Sequence, residues 1–320
     1  MSDDFDERSL VDELARHVHP TAIVERGRGV DFIVFGAGDL AIRLPRRPRA
    51  VAKLRTERAL LDVLAPRFPR LVPQPADLEW RRGPADLERR RGPADLERPR
   101  GLQPADLERP RGPADLERPR GPADLERPRG PADLERPRGP ADLERPRGLA
   151  DLEPLFAYPW LPGASISDAP TATIVDDLAR FLGALHAMTD LPMVVDPTPD
   201  TIVSRLQAIV RARFLASVPD DRRAIVEDAC ARHVTSAVVA CPVHGDLAAR
   251  NLLVERGRLS GVIDWSDSVI SDPAIDFGAI AAWAGMPVVD ELVAKTGRAG
   301  DHALRSRAEI LGVLVTATER

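Results

Sequence analysis

Val243-His244-Gly245-Asp246-Leu247-Ala248-Ala249-Arg250-Asn251, continuing to Ile263-Asp264-Trp265, decides how this 320-residue chain is read. It sets an Asp, an Asn five residues later and a second Asp in one segment. Between them, the apolar runs 252–254 and 259–263 flank a turn at Glu255-Arg256-Gly257-Arg258, the pattern of a hairpin. That hairpin places Asn251 at the start of its first strand and Asp264 at the end of its second. Both oxygen-bearing side chains then stand at the open end, within reach of one hard cation. Mg²⁺ suits such a pair, because it is held by one or two carboxylates together with substrate phosphates. Asp246, on the loop leading in, supplies the carboxylate that phosphoryl transfer needs to orient and deprotonate a hydroxyl.

Composition narrows the field around this stretch. Apolar residues make up 43% of the chain, enough for a core, and 31 prolines and 22 glycines are unevenly spread. Residues 1–75 carry 13 basic and 11 acidic side chains, whereas residues 154–320 carry 15 basic and 21 acidic. A slightly basic first part and an acidic last part argue against nucleic acid as partner. They fit a protein that holds an anion between its halves and a cationic small molecule against the second. Cys230 and Cys241 lack metal-ligand spacing and read as structural thiols of a reduced, cytoplasmic protein. The acidic start, Met1 to Asp6, carries no signal or transit pattern, and no apolar run approaches the ~20 residues of a membrane span.

The chain before the repeat reads as a small sheet-plus-helix unit. A helical period covers 9–18, and after Pro20 residues 21–24 lead to a Gly-bearing turn at Arg26-Gly27-Arg28-Gly29. Strands follow at 31–35 and 40–44, joined by Gly36-Ala37-Gly38-Asp39. Such a strand–Gly turn–strand unit can lay backbone N–H groups over phosphates. A helix from about Ala50 to Leu64 carries Glu57, which Arg43 at the end of the preceding strand can reach.

Residues 76–153 differ in kind. Ala-Asp-Leu-Glu recurs from Ala76 to Ala150 with a period of nine, broken by one step of eleven. The inner copies read Gly-Pro-Ala-Asp-Leu-Glu-Arg-Pro-Arg, and two prolines per unit exclude a helix longer than about a turn. One Leu per unit builds no core, so the segment reads as a flexible, partly extended, disordered insert, with an ordered repeat as the lesser alternative. Beyond it, 154–161 is strand-like, and helices are expected at 173–188, 201–216, 222–239, after Ser271-Asp272-Pro273, and at 302–317.

His244-Gly245-Asp246, Asn251, Ile263-Asp264-Trp265 and Asp272-Pro273-Ala274-Ile275-Asp276, in this order, resemble the aminoglycoside phosphotransferase superfamily, with its protein-kinase-like fold. Gly29-Val30-Asp31-Phe32, Ile42-Arg43-Leu44-Pro45 and Ala157-Tyr158-Pro159-Trp160-Leu161-Pro162-Gly163 add to the likeness and are most similar to macrolide phosphotransferases. The resemblance implies an α+β, two-lobed fold. Residues 1–75 would be the nucleotide-binding lobe, 76–153 the insert, 154–161 the hinge strand, and 162–320 a mainly helical second lobe. It further implies Asp246 as catalytic base, Asn251 and Asp264 as Mg²⁺ ligands, and Arg43 at the place of a phosphate-binding lysine with Glu57 as its helix partner. Gly29 would belong to the nucleotide site, backbone around Tyr158, Trp160 and Leu161 would read the base, and His244 and Asp276 would support the catalytic loop. Three departures stand out. The loop Ala248-Ala249-Arg250-Asn251 resembles that of tyrosine kinases and makes Arg250 a candidate aid to the transferring phosphoryl. The repeat falls where the family has a short connection, and the end at Arg320 comes early.

The expected function is transfer of the γ-phosphoryl of ATP or GTP to a hydroxyl of an amine-bearing antibiotic, macrolide first and aminoglycoside second. Two alternatives stay open: a kinase of an endogenous metabolite, and an inactive kinase-fold protein that uses, or is impaired by, the repeat arm.

Overall fold

The computed structural model describes residues 23–77, 156–234 and 237–318, with Val11 and Leu14 besides. Apart from Ala76-Asp77, expected in the insert but placed in a strand, the repeat therefore lies outside the described residues, as does most of the expected first helix, of which Val11 and Leu14 are helical. Strands β1 (Val24–Arg28), β2 (Phe32–Ala37), β3 (Leu40–Pro45), β4 (Ala76–Asp77) and β5 (Phe156–Pro159) form one antiparallel sheet in the order β1-β2-β3-β5-β4. Strand alternation gives this sheet two faces. Ile33, Phe35, Ile42 and Leu44 are buried on the side of helix α1 (Pro48–Leu64), whose own inward row is Val51, Leu54, Leu61 and Leu64. Phe32, Val34, Arg43 and Tyr158 point the other way and roof a cleft. The chain leaves the sheet at β4 and re-enters it at β5, its immediate neighbour, with Ala76 opposite Ala157.

The second part is mainly helical: α2 (Ala172–His186), α3 (Ile202–Arg213), α4 (Asp220–Ala231), α5 (Ala274–Ala284), α6 (Met286–Lys295) and α7 (His302–Thr318). Thr171 caps α2 by accepting from Ile174 N, and Leu178, Phe181, Leu182 and Leu185 form its buried face. Helix α7 packs along α5 and touches α3 and α4. Two small sheets carry the loops of interest: β6 (Ala164–Ser165) with β8 (Leu252–Glu255) and β9 (Arg258–Val262), and β7 (Cys241–Val243) with β10 (Val269–Ser271). The β8–β9 turn has positive φ at both Arg256 (52°) and Gly257 (75°), the geometry that matches strand twist in a two-residue hairpin. Cys230 and Cys241 are both buried free thiols. Among the described residues no helix is long and apolar enough to cross a membrane.

Several elements differ from expectation. The segment 26–28 is strand rather than turn: a bulge at Arg26 absorbs the extra residue, and the chain reverses at Gly29, whose N–H donates to Phe32 O at 2.8 Å. Helix α1 begins two residues early because Pro48 is well suited to a first helical position. Helix α4 stops at Ala231, where the Gln207 amide takes the carbonyls of Ala229 and Arg232. Helix α6 follows Gly285 (φ 82°) and holds Pro287 in its first turn, so its start resembles a loop in sequence. The β7–β10 pair has only three residues a side and leaves little periodic signal.

Candidate functional site

The loop after β7 carries Asp246 and is fixed from several directions. Asp276, at the start of α5 and fully buried, accepts from His244 N at 3.1 Å and from Gly245 N at 3.0 Å. Its Oδ2 also meets His186 Nε2, at the end of α2, at 3.0 Å. Ser268 Oγ donates to His244 O, and Trp283 Nε1 donates to Leu247 O. Gly245 has φ 91°, and a Cβ there would stand 2.3 Å from Asp267 O, so glycine alone fits.

His244 is buried with defined roles for both nitrogens. Nδ1 accepts from Asp246 N at 3.2 Å, which leaves Nε2 to carry the proton toward Ile263 O at 3.1 Å. Burial lowers its pKa against the pull of Asp276, Asp264 and Asp246, so the ring is neutral near pH 7. Its edge packs on Trp265, with centroids 4.6 Å apart.

Asn251 and Asp264 meet at the open end of the β8–β9 hairpin, where Ile263 N donates to Asn251 O at 2.9 Å. Asn251 Nδ2 donates to both Asp246 O and Asp246 Oδ2 at 2.9 Å. Its Oδ1 is left without a partner among the described residues. Asp264 adopts a left-handed backbone (φ 66°), which aspartate tolerates better than most residues. Its Oδ1 accepts from Arg43 Nη2 at 2.8 Å and from Ser266 Oγ at 2.9 Å. Burial works against this carboxylate, but the Arg43 charge and the Ser266 bond outweigh it and hold Asp264 below the ordinary range. Arg250 Nη2 sits on Asp246 Oδ2 at 2.7 Å, so that oxygen takes two donors and Oδ1 keeps its lone pairs.

Behind Asp264, Arg43 and Glu57 form a buried ion pair with 4% and 0% side-chain exposure. Burial opposes the Arg43 cation, yet Glu57 and Asp264 raise its pKa further, and the guanidinium lies over the Phe32 ring at 4.3 Å. Burial likewise pushes the Glu57 carboxyl up against the pull of Arg43, while Trp265 N donates to Glu57 Oε1 at 3.3 Å. Tyr158 is pushed up to about 12, mainly by burial.

These groups surround a cleft of about 770 Å³. Gly29, Arg43, Tyr158, Trp160, Arg250, Asn251 and Asp264 line it. Asp246 stands just behind, bonded to Arg250 and Asn251, and His244, Glu57 and Asp276 support from beneath. Gly29 gives its N–H to Phe32 O and takes Arg46 Nη1 on its carbonyl at 2.6 Å, so both its backbone groups brace the turn. The Leu161 side chain packs toward Gly261, and the hinge expectation concerns its backbone. Sequence reasoning missed three partners, since nothing in their spacing ties them to the site. They are His186 on Asp276, Lys53 Nζ on Asp267 Oδ1 at 2.7 Å, and Arg307 in a buried pair with Asp272 at 2.6 Å.

For a metal, the donor set is the test. Asn251 Oδ1 and the second Asp264 oxygen are hard oxygen donors without protein partners among the described residues. No group of three or more His, Cys, Asp or Glu suited to a metal occurs among those residues. Two oxygens without a third fit Mg²⁺ completed by phosphates and do not fit a self-sufficient protein cage.

Macrolide 2′-phosphotransferase type I is similar in structure, with 21% identity and a TM-score of 0.56 over 99% of this chain and 92% of that one. The GDP and kanamycin complex of an APH(2″) enzyme gives 14% identity and a TM-score of 0.62 over 96% and 89%. These likenesses establish the two-lobed, kinase-like fold. Viomycin phosphotransferase of Streptomyces vinaceus is 31% identical over 170 residues, 48% of this chain and 58% of that protein. The chain thus matches little more than half the length of that relative. The phosphotransferase enzyme family matches residues 127–311, more than half of the chain and the whole of the Asp246–Asp276 region, and this chain belongs to it.

Proposed function

We propose that the chain transfers the γ-phosphoryl of ATP or GTP to a hydroxyl of an amine-bearing antibiotic, with macrolides as first acceptors and aminoglycosides second. The observation that carries this reading is the junction of Asp246, Asn251 and Asp264 at one end of a cleft backed by Arg43 and Glu57. In the proposed reaction the acceptor oxygen bonds to the γ-phosphorus, the bond to the β-bridging oxygen breaks, and the hydroxyl proton passes to Asp246 Oδ1. Oδ2 is held by Arg250 and Asn251, which fixes the carboxylate plane before substrate arrives. Arg250, 59% exposed, also keeps a positive charge beside the transferring group. Asn251 and Asp264 would hold Mg²⁺, which supplies charge neutralisation on the phosphates. At the far end, Trp160 N donates to Asp39 O, so the alternating ladder turns Pro159 C=O away from β3, which supports a hinge role for this segment. The 15 basic against 21 acidic residues of 154–320 favour a cationic acceptor.

The test is a panel of macrolides, aminoglycosides, viomycin and amine-bearing metabolites, incubated with ATP or GTP and Mg²⁺ and followed by mass shift of the acceptor. Phosphorylation of an antibiotic by the wild type, with turnover lowered about 10²- to 10⁴-fold in Asp246→Asn, is expected. Phosphorylation of metabolites alone overturns the acceptor, and undiminished turnover in Asp246→Asn overturns the base.

A further inference from the structure

Four arginines line the cleft: Arg26, Arg28, Arg43 and Arg250. Three are engaged, with Arg28 on Glu25 at 2.7 Å, Arg43 on Glu57 and Asp264, and Arg250 on Asp246. Arg26 has no hydrogen-bond or ion-pair partner among the described residues. Its position is set by the bulge in β1, where the register steps from Glu25 opposite Phe35 to Gly27 opposite Val34 and leaves Arg26 as the extra residue. Bulges re-aim side chains, and this one lays Arg26 over Gly36. Arg26 Nε and Cγ lie 3.0 and 3.2 Å from where a Gly36 Cβ would stand, and Trp160 Cζ2 lies 3.4 Å from the same point.

Gly36 pairs with Ala41, and Ala41 in turn with Tyr158, which lines the cleft. Gly36 is two residues along β2 from Val34, which pairs with Arg43. At ~3.4 Å per residue it is roughly 7 Å from the Arg43 position and the Asp264 end of the cleft. Trp160 is 42% exposed at this point. An unpartnered guanidinium and an exposed indole thus meet over a backbone that has no side chain. Both groups stack on flat rings, and the base is the flat part of a nucleotide.

We propose that Arg26 is a base-binding residue, its guanidinium lying on the purine of the nucleotide beside Trp160, with Gly36 kept bare to admit it. This rests on the phosphotransferase reading above. The experiment is titration calorimetry on the full chain with ATP, GTP, guanosine and inorganic tripolyphosphate, each with Mg²⁺ where phosphate is present. Arg26→Ala is expected to weaken ATP, GTP and guanosine roughly tenfold while leaving tripolyphosphate unchanged. Arg26→Lys, which keeps charge but loses the plane, is expected to behave like Arg26→Ala. Gly36→Val, which displaces Arg26, is expected to show the same loss, with little added in the double variant; unchanged melting temperatures confirm intact folds. A parallel loss of tripolyphosphate binding, full rescue by Lys, or unaltered nucleotide affinity overturns the proposal. A wild-type chain that binds tripolyphosphate but neither nucleotide also overturns it and leaves the phosphate site standing. A wild-type chain that binds none of the four overturns the phosphotransferase reading itself.

Discussion

Arg43 donates from Nη2 to Asp264 Oδ1 at 2.8 Å while its Nη1 is on Glu57, so one guanidinium joins the first sheet, helix α1 and the segment after β9. A planar fork can serve two carboxylates at once, whereas an ammonium cannot match that geometry. Arg43 Nε and Glu57 Oε2 are buried without partners, which makes the pair costly to disturb. Removing one partner of a buried pair leaves an uncompensated charge, so Arg43→Met should cost about 3–5 kcal/mol in urea unfolding. Most of that loss should return in the Arg43→Met/Glu57→Met double variant, because both charges are then gone. Additive losses in the double variant would show that the two side chains act separately.

The proposed metal-binding role of Asp264 is one that stability does not report. With Oδ1 occupied by Arg43 and Ser266, its other oxygen is the one left for a cation. Asp264→Ala is expected to abolish the part of nucleotide affinity that depends on Mg²⁺ and to leave metal-free binding nearly unchanged. Calorimetric titration with and without Mg²⁺ separates the two, and an equal loss in both conditions would remove Asp264 from the metal site.

Much of this was legible before any coordinates. The β8–β9 hairpin follows from alternation and from Arg256-Gly257, and its open end then sets Asn251 beside Asp264. The Arg43–Glu57 pair follows from a strand leading into a helix. What was not legible depends on long-range closure. Asp276 meets His186 across 90 residues, and Lys53 meets Asp267 across 214. Neither pair has a local period or motif to announce it. The direction of the Gly29 amide depends on where the bulged β1 ends, and a bulge leaves no periodic trace.

His244 gives the protein an acid-sensitive joint. Its pKa is depressed in the folded state, so between that value and the unfolded value near 6.5 the unfolded chain binds more protons. The stabilisation is therefore complete above about pH 6.5 and is lost as pH falls through the folded value. Protonation also removes the Nδ1 lone pair that accepts from Asp246 N. Melting temperature should fall between pH 7 and 5 in the wild type, and this slope should be shallower in His244→Gln even though that variant starts lower. Parallel slopes in the two proteins would place the sensitivity elsewhere.

Asp276 holds the loop from below by accepting two adjacent amides, His244 N and Gly245 N, on its two oxygens. Asp276→Asn keeps the shape but must turn its NH₂ toward one of those donors or toward His186. Bonds to charged acceptors contribute about 1.5–3 kcal/mol each, so a loss of that order is expected in chemical unfolding. The loop position should also relax, lowering turnover more than nucleotide affinity. A variant with wild-type stability and turnover would show that the amides find other acceptors.

Gly245 is the tightest point of the same loop, because a Cβ there would stand 2.3 Å from Asp267 O in a backbone with φ 91°. That neighbour is backbone and cannot step aside as a flexible side chain would. The strain alone costs about 1–3 kcal/mol, and the overlap adds to it. Relief would require the Asp267 segment to shift, and with it Asp264, three residues earlier, and the Lys53–Asp267 contact at 2.7 Å. Gly245→Ala is therefore expected to lower the melting temperature and to weaken Mg²⁺-dependent nucleotide binding together, although residue 245 is not among the proposed metal ligands. Thermal unfolding alongside Mg²⁺-dependent titration checks this, and a destabilised variant with wild-type metal-dependent affinity would show that the two segments move independently.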